Sequence, residues 1–293
     1  MRVSVVIVNK HERALADTLD ALGPPSSGTA FAEVVVVDAS DGELDWVRAS
    51  HPWVRWTDYV APAGVRTTIA HQRNVGVKTA QGDVIVFTDS GCVPDPGWLE
   101  RLLAPIIDQG ESVSCGAVRS DGPSVYSGDR WWGSTDAMYV GAAATINLAV
   151  RRELFTTVGG FDESFAAAED LDFTWRLVDA GYRLRWVPDA VVRHEWGGPR
   201  RQLRRSLAYG RGWARLLRKR PERIPATAQQ NPVPFVYPMF LLGLPLTWKW
   251  RGYPALLLVP LWRARRELRP WLVIADHLVM GAGVLAELVT PGR

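Results

Sequence analysis

The sequence predicts an α/β fold with a mainly parallel sheet, and three observations carry that expectation. Three short, β-branched apolar runs, Val3 to Asn9, Glu33 to Ser40 and Asp83 to Ser90, have the composition of parallel strands covered on both faces. Helical patterns separate them, as in a βαβ unit. Each run also delivers a polar residue at its end, Asn9, Asp38 or Asp89. In such sheets ligands bind outside the carboxyl ends of the strands, near the point where strand order reverses.

Along the chain, "ERALADTLDALG" places Leu15, Leu19 and Leu22 on one helical face and stops at Gly23 and Pro24. "TIAHQRNVGVKTAQG" is the next helix, ending at Gly82, and "PDPGW" starts another. "AAATINLAV" is a small-residue run that lets backbone approach a ligand closely, with a helix from about Arg151 to Val158 after it. "EDLDFTWRLVDAG" reads as a helix with acids in its first turn, Leu171, Trp175 and Val178 on one face, and Gly181 as its cap. "LRWVP" and "AVVRHEW" read as two short strands.

Composition bounds the function. At 293 residues, 47% hydrophobic and 22% charged, the chain is an ordinary globular protein with one large domain, alone or with an appendage. Cys92 and Cys115 form no CxxC pair, which argues against a disulfide scaffold, a zinc site or a redox motif. The opening "MRVSVVIVN" lacks a leader pattern, so a reducing cytosol is expected. Fourteen tryptophans are many for this length, and the clustering of those after Trp131 and Trp186 suits sugar or membrane-interface contacts, or core filler.

A nucleotide lying across the three strand ends would meet Asn9 and Asp38 as base or ribose partners, with Asp89 near its phosphates. The local alternative has Asp38 opening a turn in "DASDG" and Asp89 capping the helix that begins near Pro96. Agreement among three strand ends favours the ligand. Glu169 and Asp170 divide in the same way, between a general base and N-terminal capping acids, and spacing alone favours the cap. His194 is a candidate ligand for a divalent cation or a donor to phosphate, or else a hydrogen-bonded structural residue.

In this order, "VSVVIVN", "VVVVDAS", "HQRNVGVKTAQGDVIVFTDSGCVPDPGWL", "ATINLAVRRELFTTVGGFDESF", "AEDLDFTWRL" and "VVRHEW" resemble a family 2 inverting glycosyltransferase of the GT-A fold, over about Arg2 to Trp196. "YGRGWARLL" resembles the post-catalytic region of bacterial members. The resemblance implies a hexosyltransferase of cell-envelope or glycoconjugate biosynthesis. Asp38 then matches the carboxylate at the nucleotide base, Arg73 and Asn74 the "RN" that begins the helix beside the nucleotide pocket, and Asn147 the donor-sugar side. Asp89 matches the first acid of the DxD motif, near ribose and metal. Asp170, in its pair with Glu169, matches the catalytic base, and His194 the histidine at metal or diphosphate. A divalent cation, Mg²⁺ or Mn²⁺, is implied as well. The chain departs from the pattern at Gly91, where the family carries the acid that binds metal directly. Weak or partly dispensable metal is the expectation, and a non-catalytic nucleotide-sugar-binding relative is the alternative. Asp95 more naturally starts the next helix than substitutes.

Residues 1–198 are thus expected to form the catalytic domain and 199–293 a basic, apolar extension. The arginines from Arg200 to Arg220 would face anionic headgroups, with aromatics at the interface. Residues 231 to 248 carry no charge and reach the lower length for a spanning helix, but Pro232, Pro234, Pro238 and Pro245 interrupt them. An interfacial or re-entrant segment is expected, against a tail folded back or packed in a homodimer. This points to a protein peripheral at the cytoplasmic face of the membrane, with a lipid-linked hydroxyl acceptor or, alternatively, a soluble one. The uncharged stretch behind the arginines fits a membrane better than nucleic acid.

Overall fold

The computed structural model describes residues 1–25, 31–61, 64, 67–121, 138–267 and 269–290; Trp131 lies outside them. The described residues fall into two compact units. The first takes 1–120, 138–164 and 169–195, and the second takes 121, 165–168 and 196–290.

The first unit opens with β1 (Val3–Asn9), α1 (Leu15–Leu22), β2 (Phe31–Asp38), α2 (Asp45–Ser50), β3 (Arg55–Asp58), α3 (Ile69–Thr79) and β4 (Val84–Asp89). Then come β5 (Cys92–Pro94), α4 (Trp98–Asp108), β6 (Val113–Ser120), β7 (Tyr139–Val140), β8 (Asn147–Arg151), α5 (Arg152–Thr157), α6 (Glu169–Asp179) and β9 (Leu184–His194). Among the described residues these make one sheet in the order β3-β2-β1-β4-β8-β6-β9-β5, with β7 on β9. The strands β1 to β4 run parallel, and β8 is antiparallel to both β4 and β6, so the sheet is mixed.

Burial on both faces explains the apolar runs: every residue of β1 is buried, and so are Val34 to Val37 of β2. Because β1 has β2 on one side and β4 on the other, the chain reverses its direction of winding there. That is the switch point at which the carboxyl ends splay apart. Beneath it, the rings of Phe87, Phe155, Phe161 and Phe173 pack with centroids 4.6 to 6.4 Å apart, seating the loop before α6. Each such pair is worth about 0.5–1.5 kcal/mol beyond its buried area.

One expectation is corrected. The two short strands read at "LRWVP" and "AVVRHEW" are a single eleven-residue strand, β9. Its register against β6 jumps from Gly116↔Val187 to Ala117↔Val191, so Pro188, which cannot donate to a ladder, sits in the bulge while the strand continues.

The second unit is helical: α7 (Pro199–Lys219), α8 (Ile224–Gln230), α9 (Val233–Leu242), α10 (Leu258–Arg263) and α11 (Pro270–Val289), with 3₁₀ turns between. The stretch 231–248 divides into α9 and a turn, Leu244–Trp248. By length and composition α11 could cross a membrane. It lies against α7 at glycine contact: a Cβ on Gly210 would sit 2.0 Å from the Met280 carbonyl oxygen, and one on Gly283 would sit 2.2 Å from that of Leu207. Both acids of α11 are buried on α7. Asp276 accepts from Gln202 at 3.0 Å and from the Ser206 hydroxyl. Glu287 accepts from Arg215 at 2.9 Å and Arg218 at 3.2 Å. Eight of the 21 residues of α7 are Arg or Lys, so α11 cannot enter hydrocarbon without dragging that charge with it.

Candidate active site

The parallel register gathers the strand-end polar groups in one row. Asn9 lies opposite Asp38, Asp38 opposite Asp58, and Asp89 opposite Val8 one strand over. At the β1–β2 end, Asp38 Oδ1 accepts from the Asn9 amide at 3.0 Å and the Ser40 hydroxyl at 2.6 Å. Ser40 in turn accepts the His11 backbone N–H at 2.7 Å. Gln72, a buried residue absent from the expected set, donates to the carbonyls of Asn9 at 2.9 Å and Val37 at 3.1 Å and ties both strand ends to α3. Its place inside the "HQRN" run was the only signal. The backbone is forced at this rim, since His11 and Asp41, neither of them glycine, hold positive φ angles of 60° and 51°.

The centre of the site is Arg73, whose side chain is 4% exposed. Its Nη2 donates to Asp89 Oδ1 at 2.8 Å and its Nη1 to Glu169 Oε1 at 2.6 Å. One guanidinium therefore joins the end of β4 to the start of α6. Burial works against the charge of Arg73, yet Asp89 and Glu169 outweigh it and hold its pKa above the usual arginine value. Asp170 is placed differently. Its Oδ1 accepts the Leu171 N–H at 2.8 Å, and part of its surface stays open to solvent. Desolvation, then the neighbouring Glu169 charge, push its carboxyl up to about 7. Of two adjacent acids, one is locked in an ion pair and the other is poised to exchange a proton near neutral pH.

Several expected roles are redirected. Asp89 does not cap a helix: α4 begins after Gly97 with no side-chain cap, and Asp89 is paired with Arg73. Arg73 and Asn74 lie in the middle of α3, not at its start. Asn74 is spent on the loop before α6, bonding the Phe161 N–H and carbonyl at 2.9 Å each and Glu163 at 2.8 Å. Asn147, expected on the donor-sugar side, is 1% exposed and sews the sheet together. It donates to the carbonyls of Ala117 and Ala190 at 2.8 Å and accepts from the Trp98 indole at 2.9 Å. The small-residue run around it lets backbones pack. Asp95 pairs with Arg193 at 2.7 Å.

His194 sits opposite Cys92 in the β5–β9 pairing, three residues beyond Asp89, and its Nδ1 faces the Gly91 carbonyl at 3.3 Å. Gly91 adopts φ 85° and donates to Thr18 at 2.9 Å; a Cβ there would stand 3.7 Å from the His194 ring. The turn demands glycine and so leaves the imidazole without an acidic neighbour at that position. Among the described residues no three His, Cys, Asp or Glu side chains converge as a metal cage. Burial pushes both thiols up, Cys115 to about 12, which removes them as nucleophiles.

Comparison with known proteins gives the family and the fold. The model of Glycosyl transferase family 2 matches residues 4–135, and that of Glycosyl transferase family group 2 matches residues 129–286, more than half of the chain. The pre-mycofactocin glycosyltransferase of Mycobacterium tuberculosis is 32% identical over 171 residues, 53% of this chain and 36% of that protein. Glycosyltransferase AglE of Haloferax volcanii is 28% identical over 147 residues, 48% of each. The chain thus spans between about a third and a half of these relatives. In fold it is similar to the mannosyltransferase PcManGT of Pyrobaculum calidifontis, solved with GDP-Man and Mn²⁺, with a TM-score of 0.70 at 18% identity over 100% of this chain and 88% of that one. It is also similar to GalNAc-T7, solved with UDP, GalNAc and Mn²⁺, with a TM-score of 0.57 at 17% identity over 74% and 48%. With its parallel strand ends, its Arg73-linked acids and these matches, the chain belongs to the family 2 glycosyltransferases, on the GT-A fold.

Proposed function

We propose that this protein is an inverting glycosyltransferase, moving a hexosyl group from a nucleotide-diphosphate sugar to a hydroxyl acceptor with Asp170 as general base. The observation that carries the reading is the Arg73 bridge, which holds the ionised Glu169 in an ion pair and leaves the adjacent Asp170 outside it, with the Asp170 carboxyl pushed up to about 7. The acceptor hydroxyl gives its proton to Asp170, and its oxygen attacks the anomeric carbon. The carbon–oxygen bond to the diphosphate breaks on the opposite face, and the nucleoside diphosphate leaves with the electron pair. Asn9 and Asp38 hold the base or ribose end. Asp89 orients the diphosphate end, and the buried Arg73 charge offsets part of the Asp89 and Glu169 charge beside the phosphates.

The side chains here fit a divalent cation only in part, through Asp89, 33% exposed, and His194. Mg²⁺ or Mn²⁺ would draw its other oxygen ligands from the donor and water and would supply charge neutralisation. The similar structures, solved with GDP-Man and with UDP and GalNAc, support a nucleotide-sugar donor. The basic, apolar second unit supports an acceptor held at a membrane, with the protein peripheral on its cytoplasmic face.

The test is Asp170→Asn. Transfer should fall about 10²–10⁴-fold while calorimetric binding of the nucleotide sugar is kept. A variant as active as the parent would remove Asp170 from the chemistry. Donor binding with no turnover by the parent across acceptors would leave a binding protein.

A further inference from the structure

The second unit exposes large apolar side chains over one stretch of chain. Trp248 is 93% exposed, and Met239, Leu242, Leu258, Trp262 and Trp271 are each more than 60% exposed. The stretch is built, not loose. Tyr253 is buried, stacks on Phe240 with centroids 5.1 Å apart and donates to the Phe240 carbonyl at 3.0 Å. Leu244, Leu246, Trp248 and Leu256 of the Leu244–Trp248 and Tyr253–Leu257 turns, with Leu258 and Trp262 of α10, are exposed. The elements from Leu244 to Arg266 are three to six residues long, and Pro245, Pro254 and Pro260 lie within the first three of them. At 1.5–2 Å per residue none approaches the roughly 30 Å of a bilayer core.

Charge says what covers this surface. Between Glu222 and Glu267 the sequence has no acid, while Lys249, Arg251, Arg263, Arg265 and Arg266 fall within the exposed stretch. The Arg265 guanidinium lies 4.0 Å over the Trp262 ring, and both line an apolar recess with Leu258, Leu261, Pro270 and Trp271. Trp and Leu side chains interleaved with Lys and Arg match the boundary between acyl chains and anionic headgroups. A protein partner would need its own acidic, apolar face. The cations of α7 answer less well, since Arg215 and Arg218 are committed to Glu287 and Arg205 to the Trp196 carbonyl.

We propose that the surface from Met239 to Trp271 is a monotopic docking face for an anionic lipid bilayer, inserted into one leaflet. This rests on and deepens the reading of a membrane-held acceptor, and it moves the contact from the α7 arginines to residues 239–271.

The test is co-sedimentation of the full chain with vesicles of phosphatidylcholine, alone or with one quarter phosphatidylglycerol. Binding should be at least tenfold stronger on the anionic vesicles and weaken in 0.5 M NaCl. Lipids brominated near the headgroup should quench tryptophan fluorescence. Trp248→Ser/Trp262→Ser should lose at least tenfold in vesicle affinity with its Tm unchanged. Lys249→Glu/Arg251→Glu should lose at least tenfold on anionic vesicles alone. Equal binding to both vesicle types, undiminished binding by both variants, or a dimer dissolved by the tryptophan substitutions without vesicle binding would overturn the proposal. Nucleotide-sugar binding in solution, measured on the same samples, reports separately on the transferase reading.

Discussion

Two arginine–carboxylate clusters, one in each unit, show what separates a site from a strut. In the helical unit Glu287 is wholly buried and takes Arg215 through two nitrogens and Arg218 through a third contact. Two cations meet one acid, and both reach the same oxygen, Glu287 Oε1. In the sheet unit a single cation, Arg73, serves Asp89 and Glu169 with Asp170 adjacent. Three acids share one guanidinium, and the one it does not touch is pushed up to about 7. Surplus negative charge is costly to fold around and useful for taking a proton.

That contrast breaks most sharply at Asp170. Besides losing turnover, Asp170→Asn should be more stable than the parent at pH 8. The folded-state pKa lies above the unfolded value of 3.8, so the folded chain binds more protons between pH 3.8 and about 7, and its stability falls as pH rises through that window. Removing the charge should recover about 1–3 kcal/mol at pH 8, visible in urea unfolding. A less stable variant at pH 8 would deny the strain.

The strut should respond in the opposite sense. Glu287→Ala leaves two arginines facing a buried gap and should cost about 3–5 kcal/mol, with nucleotide-sugar affinity unchanged for the folded fraction. Asn147→Leu belongs to the same class: losing three buried hydrogen bonds should cost about 2–4 kcal/mol without altering KM for the donor. A raised KM with stability intact would return Asn147 to the sugar.

Smaller effects sharpen the sheet-unit cluster. Glu169→Gln removes the like charge beside Asp170, so the acidic limb of the kcat/KM profile should move to lower pH, whereas an unmoved limb would uncouple the pair. Gly91→Asp should tighten Mn²⁺ binding beside His194 modestly, because φ 85° strains any residue but glycine. Titration calorimetry would read it.

The sequence by itself determined the strands, helices and row of strand-end polar groups that carry the fold. Uninterrupted β-branched runs, period-3.6 apolar patterns, glycine stops and polar residues closing apolar runs are local properties, and local sterics translate them directly. β1, at Val3–Asn9, appears as read. Asp38, Asp89 and Asp170 are where the pattern placed them, though capping could not be separated from chemistry by spacing. Only the tertiary structure decided which polar groups are spent and which are free. Arg73 finds Glu169 across 96 residues and Arg215 finds Glu287 across 72, pairings that no local period encodes. The same holds for Asn147 sewing three segments, for β9 passing Pro188 through a bulge, and for α11, which its composition marks as a membrane span and its buried acids mark as a partner of α7. Composition reports how much a residue prefers water, whereas the partner a buried charge meets is settled by chain topology.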